Sequence, residues 1–143
     1  MLKGEHFTAR APDDAQLCVE TVGRRGDPAV LLIGGATWSM DWWEDDLCRR
    51  LAERGRLVIR YDHRDTGRST GYPPGKPGYT TADQVSDAVA ILDALEIDRA
   101  HVVGLSMGGR IAQRMALAFA ETGMAAIGGR RARLGRRKAG RRR

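Results

Sequence analysis

The chain has 143 residues, 42% of them hydrophobic, which suits one domain with a modest core, and its formal net charge is +6. That charge is unevenly placed: residues 122–143 hold nine basic side chains and no acid, whereas residues 1–121 hold 15 basic and 18 acidic ones, so the body is mildly acidic. No run approaches the roughly 20 apolar residues that cross a bilayer, and the N-terminal M-L-K-G-E-H-F-T lacks the apolar stretch of a secretory leader, so a cytoplasmic protein without membrane attachment is expected.

The first elements are two strands, residues 6–10 and Gln16–Val22, joined across the turn-forming Pro12-Asp13-Asp14. Ala29–Ile33 (A-V-L-L-I) is a continuous apolar run closed by Gly34-Gly35, the pattern of a strand buried on both faces. A helix is expected over residues 42–54, with Asp41 as N-cap, Glu44 completing a capping box and Gly55 beyond its end; Trp43, Leu47 and Leu51 would form its buried face. Residues 56–61 (R-L-V-I-R-Y) form the next strand. After a Gly/Pro-rich loop over 71–78, Thr81 and Gln84 make a capping-box pattern, and Val85, Ala88, Val89, Leu92 and Leu95 supply the stripe of an amphipathic helix. Residues 99–105 (R-A-H-V-V-G-L) read as a strand and 107–120 as a helix with an apolar face at Ile111, Ala112, Met115 and Ala118.

Strands alternating with helices in this way predict an α/β fold, a mostly parallel sheet flanked by helices on both faces. In such sheets reactive groups lie beyond the carboxyl ends of the strands, so residues 34–38, residues 62–69 and Ser106 should share one rim. Ser106 is the centre of Gly104-Leu105-Ser106-Met107-Gly108, a G-x-S-x-G between strand and helix. A sharp turn there lifts a hydroxyl clear of the sheet, at a helix N-terminus whose unpaired N–H groups favour developing negative charge. That is the seat of a nucleophile.

Other chemistries have less to work with. Cys18 and Cys48 are far apart and outside any C-x-x-C pair, and two buried reduced thiols are expected. His6, His63 and His101 have no metal-ligand spacing, so neither metal nor other cofactor is expected.

Over residues 29–120 the chain resembles the α/β-hydrolase superfamily, on three motifs in order: L-L-I-G-G-A-T after the third strand, D-x-R-x-x-G-x-S after the fourth (Asp62, Arg64, Gly67, Ser69), and the elbow G-L-S-M-G-G. The strings V-I-R-Y-D-H-R-D-T-G-R-S-T and H-V-V-G-L-S-M-G are most similar to aclacinomycin methylesterase-type esterases of aromatic polyketide metabolism. The resemblance implies hydrolysis of a small-molecule carboxylic ester through an acyl-enzyme on Ser106, with a histidine base and an acid that orients it. It also implies oxyanion donors from the backbone N–H of Met107 and of Ala36, although many relatives carry H-G-x-G where this chain has Gly34-Gly35-Ala36-Thr37. Asp62 and Arg64 are expected to be a fixed pair shaping a turn, and Trp38, Trp42 and Trp43 to pack in the core rather than to stack on a flat substrate. A peptidase or perhydrolase would share the fold, whereas dehalogenase relatives place Asp where Ser106 stands.

The superfamily's acid and histidine follow the nucleophile, yet after Ser106 this chain has no Asp, no His and only Glu121 as an acid. Upstream, His101 sits at the far end of its strand, His6 belongs to the first strand, and His63 reaches the correct rim at a variable position of the motif; none is expected to serve as the base. Helical and strand periodicity stops near residues 121–123. The expectation is a partial α/β-hydrolase domain over 1–121, truncated after the elbow helix, and a disordered basic tail over 122–143. The tail reads either as a frameshift product or as a non-enzymatic binder of nucleic acid or anionic surfaces through phosphate neutralisation; no specific nucleic-acid partner is expected. The elbow strand would then be an unpaired apolar edge, with self-association through residues 100–105.

Overall fold

A computed structural model describes residues 4–118 and, further along, the backbone of the strands 125–129 and 132–133. The strands are β1 (Glu5–Arg10), β2 (Gln16–Val22), β3 (Ala29–Ile33), β4 (Leu57–Tyr61), β5 (Ala100–Leu105), β6 (Ala125–Gly129) and β7 (Ala132–Arg133); the helices are α1 (Asp45–Glu53), α2 (Thr81–Ala94) and α3 (Met107–Ala118). One sheet holds the strands in the order β1-β2-β4-β3-β5-β6-β7. The middle of it, β4-β3-β5-β6, is parallel, and the outer strands on both sides pair antiparallel.

Central placement explains the composition of β3, whose five residues are all buried between β4 and β5. Alternation divides them: Leu31 and Ile33 join Ile59, Val102, Ile91, Ile111 and Met115 on the face covered by α2 and α3, while Val30 and Leu32 join Val58, Cys48 and Ala52 under α1. The fold is therefore α/β, a mostly parallel sheet with helices on both faces, as expected. Cys18 and Cys48 are buried free thiols, and burial raises both above the usual thiol range.

Four expectations require correction. Residues 40–42 form a turn of 3₁₀ helix and Trp43 is extended, so α1 starts only at Asp45, without a side-chain cap from Asp41. The break resets the helical phase: Leu47 is 41% exposed, and the small Cys48 and Ala52 let α1 approach the sheet instead. The capping box of α2 is Thr80 with Asp83, one residue earlier than expected; the Asp83 carboxylate accepts the Thr80 N–H at 2.7 Å, a stronger acceptor than the Gln84 amide. Ala118 at the end of α3 is exposed.

The fourth correction concerns the expected edge. β5 pairs in parallel with β3 on one side and with β6 on the other, from His101 opposite Ala125 to Leu105 opposite Gly129. Strand 100–105 is thus not the free edge on which self-association was expected, and residues 125–129 and 132–133 form strands of the same sheet. The segment A-A-I-G-G is free of charge within a basic stretch, and its N–H and C=O groups find partners on β5. The remainder of the expected tail, residues 122–124, 130–131 and 134–143, lies outside the described residues.

The end of β4 is tied to three neighbouring segments by Arg64, 2% exposed. Nε and Nη2 donate to Asp87 of α2 at 2.8 and 2.6 Å; Nη1 and Nη2 donate to Asp13 of the β1–β2 turn at 2.6 and 2.8 Å; and Nη1 donates to the Tyr72 hydroxyl at 3.0 Å. All five N–H groups of the guanidinium have acceptors, and Arg64 holds the Asp13 carboxyl below the usual carboxylate range. Replacement of Arg64 by Met strands the buried Asp87 carboxylate and is expected to cost about 3–5 kcal/mol in urea denaturation. Arg50→Met, at a 74% exposed side chain 3.8 Å from Asp46, is expected to cost under about 1 kcal/mol in the same measurement.

Candidate active site

Ser106 stands between the last residue of β5 and the first of α3, exposed, with φ of +55°. A left-handed backbone at a non-glycine residue costs of order 1–3 kcal/mol and persists only where the surroundings hold it. Here they are two glycines. A Cβ on Gly104 would lie 2.2 Å from the Gly108 carbonyl oxygen, and a Cβ on Gly108 would lie 2.1 Å from the Ile33 oxygen and 2.6 Å from the Gly34 oxygen. Backbone therefore touches backbone at the elbow, and the first turn of α3 presses on the end of β3. The Ser106 carbonyl accepts the first helical bond from Arg110 N–H at 3.3 Å, leaving the amides of Met107 to Gly109 without intrahelical acceptors.

The same contact brings the second motif to the first. β3 is followed by buried Gly34 and Gly35, and the chain then turns through exposed Ala36 and through Thr37 at φ +66°. Ala36 and Met107, the two proposed donors, line one pocket of about 390 Å³ together with Thr37 and His63. His63 is 3% exposed and donates its Nε2–H to the Gly34 carbonyl at 2.9 Å, edge-on to Tyr61 with ring centres 5.2 Å apart. Its rim position was legible in sequence; its carbonyl partner, 29 residues away, was not. Burial pushes its pKa below the ordinary 6.5, so the ring is neutral.

Asp62 and Arg64 do not pair with each other, contrary to expectation. Asp62 accepts the backbone N–H of Met40 at 2.7 Å and of Arg68 at 2.9 Å, its backbone oxygen accepts the Ser69 hydroxyl at 2.7 Å, and Arg64 is fully occupied by Asp13, Asp87 and Tyr72. Gly67 at φ +48° closes over the carboxylate, since a Cβ there would lie 2.2 Å from Asp62 Oδ2. Both residues shape the loop, as expected, but through separate partners. The tryptophans also divide. Trp43 packs partly buried against the core under α1, Trp38 covers Gly34 and Gly35, and Trp42 is 61% exposed, stacked on Trp38 with centroids 4.9 Å apart.

No histidine among the described residues is hydrogen-bonded to Ser106. His6 lies on Glu20 at 3.1 Å, His63 is engaged by Gly34, and His101 is near the start of β5, exposed. Nor do the described residues hold a group of three or more His, Cys, Asp or Glu side chains suited to a metal ion. Among them no helix is long and apolar enough to cross a membrane.

His63 makes stability depend on pH with a definite sign. Its pKa is depressed in the fold, so the unfolded chain takes up the proton first; the stability present above about pH 6.5 is lost as pH falls through the folded value. Urea denaturation at about pH 7.5 and about pH 5.5 should show that loss, and His63→Gln, which keeps an N–H donor for Gly34 but does not titrate in this range, should reduce it.

Comparison with known proteins matches the geometry. The alpha/beta hydrolase fold family aligns with residues 28–129, so its pattern extends through β6 rather than stopping at residue 120. The rhodomycin D methylesterase DauP of Streptomyces sp. (strain C5) is 45% identical over 105 residues, 73% of this chain and 35% of its own. A putative carbamate hydrolase RutD of Variovorax paradoxus is 41% identical over 68% of this chain and 36% of its own, so the chain spans about a third of the length of such relatives. A hydrolase structure from Pseudomonas aeruginosa superposes with a TM-score of 0.73 and 34% identity over 85% of this chain and 43% of its own. Epoxide hydrolase A of Mycobacterium thermoresistibile, with a TM-score of 0.77 and 23% identity over 88% of this chain and 39% of its own, shares the fold. With its sheet order, elbow and sequence all aligned to that group, the chain belongs to the alpha/beta hydrolase fold family.

Proposed function

We propose that this chain carries the nucleophilic half of a serine esterase site acting on carboxylic esters of the methyl-ester type. The observation that carries the reading is Ser106 at φ +55° on a turn that two glycines allow to pack backbone on backbone. The 45% identity to a methylesterase supports the ester class. Ser106 Oγ would bond to the ester carbonyl carbon, the carbonyl oxygen taking up the negative charge beside the N–H groups of Met107 and Ala36. Collapse breaks the bond to the alcohol, which leaves with a proton; water then attacks the acyl-serine, releasing the carboxylic acid and restoring the hydroxyl.

The proton of Ser106 needs a base, and the residues that follow Ser106 include no histidine. The 143-residue chain is accordingly read as having the nucleophile and its anion donors without the general base. A serine so placed acylates slowly and turns over little.

A fluorophosphonate probe should place its adduct on Ser106 and not on Ser39, Ser69 or Ser86, by peptide mass mapping. Steady-state hydrolysis of an aryl ester should be about 10⁴–10⁶-fold slower than by DauP assayed alongside. An adduct confined to another serine rejects the nucleophile. Turnover close to that of DauP, abolished in Ser106→Ala, rejects the missing base.

A further inference from the structure

The pocket beside the candidate donors has a second wall, formed by Pro77, Tyr79, Thr80, Thr81 and Gln84 at the start of α2. At about 390 Å³ it lies at the lower end of the range for small-molecule sites. Its polar groups are mostly committed. Arg64 lines it, but each N–H has an acceptor and the carboxylates of Asp13 and Asp87 offset its charge. The Tyr79 hydroxyl donates to Asp65 at 2.9 Å, and Thr80 is held in the capping box by Asp83.

Thr37 and Thr81 also line the pocket but are not buried, and Gln84 is the buried exception. It is 7% exposed, and among the described residues the one hydrogen-bond partner of its side chain is Met107 Sδ, 3.7 Å from Nε2. A thioether is a weak acceptor, whereas a carboxamide offers two N–H donors and an oxygen with two lone pairs. A buried amide in that condition gains from a ligand that hydrogen-bonds to it and loses if an apolar group displaces water from it. Its position is also specific: it touches the side chain of the residue whose backbone N–H is a proposed oxyanion donor. Gln84 stands where the apolar face of α2 would call for an aliphatic residue, one turn before buried Ala88.

We infer that this pocket binds a neutral, hydroxyl- or carbonyl-bearing part of an ester substrate, and that Gln84 is the residue that selects it. Recognition of an anion is disfavoured because the one guanidinium lining the pocket has no N–H left to donate. The inference rests on the ester reading for the identity of the ligand, but the pocket and Gln84 do not depend on Ser106 being reactive.

Binding to the 143-residue chain can be followed by ¹H–¹⁵N correlation spectra with three probes: methyl para-hydroxybenzoate, methyl benzoate and the para-hydroxybenzoate anion. The hydroxylated ester should shift the Gln84 carboxamide and the Ala36 and Met107 amides, and bind about tenfold more tightly than either other probe, the value of one hydrogen bond. Gln84→Met, which keeps volume and packing against Met107, should abolish the preference between the two neutral esters while retaining methyl benzoate. Ser106→Ala should bind all three as the parent does, so a fluorophosphonate adduct confined to another serine rejects the esterase reading and leaves the pocket intact. Equal affinity of the parent chain for the two esters, preference for the anion, shifts confined to residues outside the pocket, or no binding of any probe would each overturn the inference.

Discussion

Much of this structure follows from one close approach: the peptide backbone at the start of α3 lies against the carbonyl oxygens of Ile33 and Gly34 with no room for a side chain at position 108. Contact at this distance requires glycine, and it requires that β5 and β3 be neighbours in register, as they are from Ala29 opposite Ala100 to Ile33 opposite Gly104. Once it is made, the turn after β3 and the N-terminus of α3 cannot be far apart. The positive φ of Ser106 and the shared pocket of Ala36 and Met107 are consequences of that packing rather than separate features.

Around the contact, polar side chains hold the rim where loops alone would be mobile. Asp62 spans from the Met40 amide to the Arg68 amide, Arg64 reaches from the β1–β2 turn to α2, and His63 fastens Gly34 itself. On the opposite face Arg60 binds Glu20, Asp45 and the Trp43 carbonyl, locking the entry to α1. Each of these groups is buried; Asp62, Arg64 and Arg60 each have several partners and His63 has one, the condition under which a buried charge or imidazole orders a structure instead of destabilising it. The proposed placement of two N–H donors about one oxygen would depend on such support, because small displacements cost rate steeply.

The strand, helix and turn around Ser106 are mutually packed, while the three histidines are placed elsewhere: His63 on the Gly34 carbonyl, His6 on Glu20, and His101 exposed near the start of β5. The aromatic groups show the same division, with Trp43 partly buried under α1 and Trp42 largely in solvent.

The sequence by itself determined the strands from β1 to β5, the three helices to within a few residues, and the rim on which Asp62, His63 and Ser106 lie. Period-two and period-3.6 patterns, Gly punctuation and the G-x-S-x-G turn are local signals, and β2 and β3 span the residues those signals indicate. Local signals misjudged part of α1, where Cys48 and Ala52 rather than Leu47 are buried beside Leu51, and they gave no hint that the uncharged A-A-I-G-G within a basic stretch would pair with β5. Only the tertiary structure decided the partners: Arg64 with Asp13 and Asp87 rather than Asp62, His63 with Gly34, and Gln84 with Met107. Those contacts join residues 23 to 51 positions apart, and which donor meets which acceptor at that separation is set by strand order and helix packing, not by any pattern along the chain.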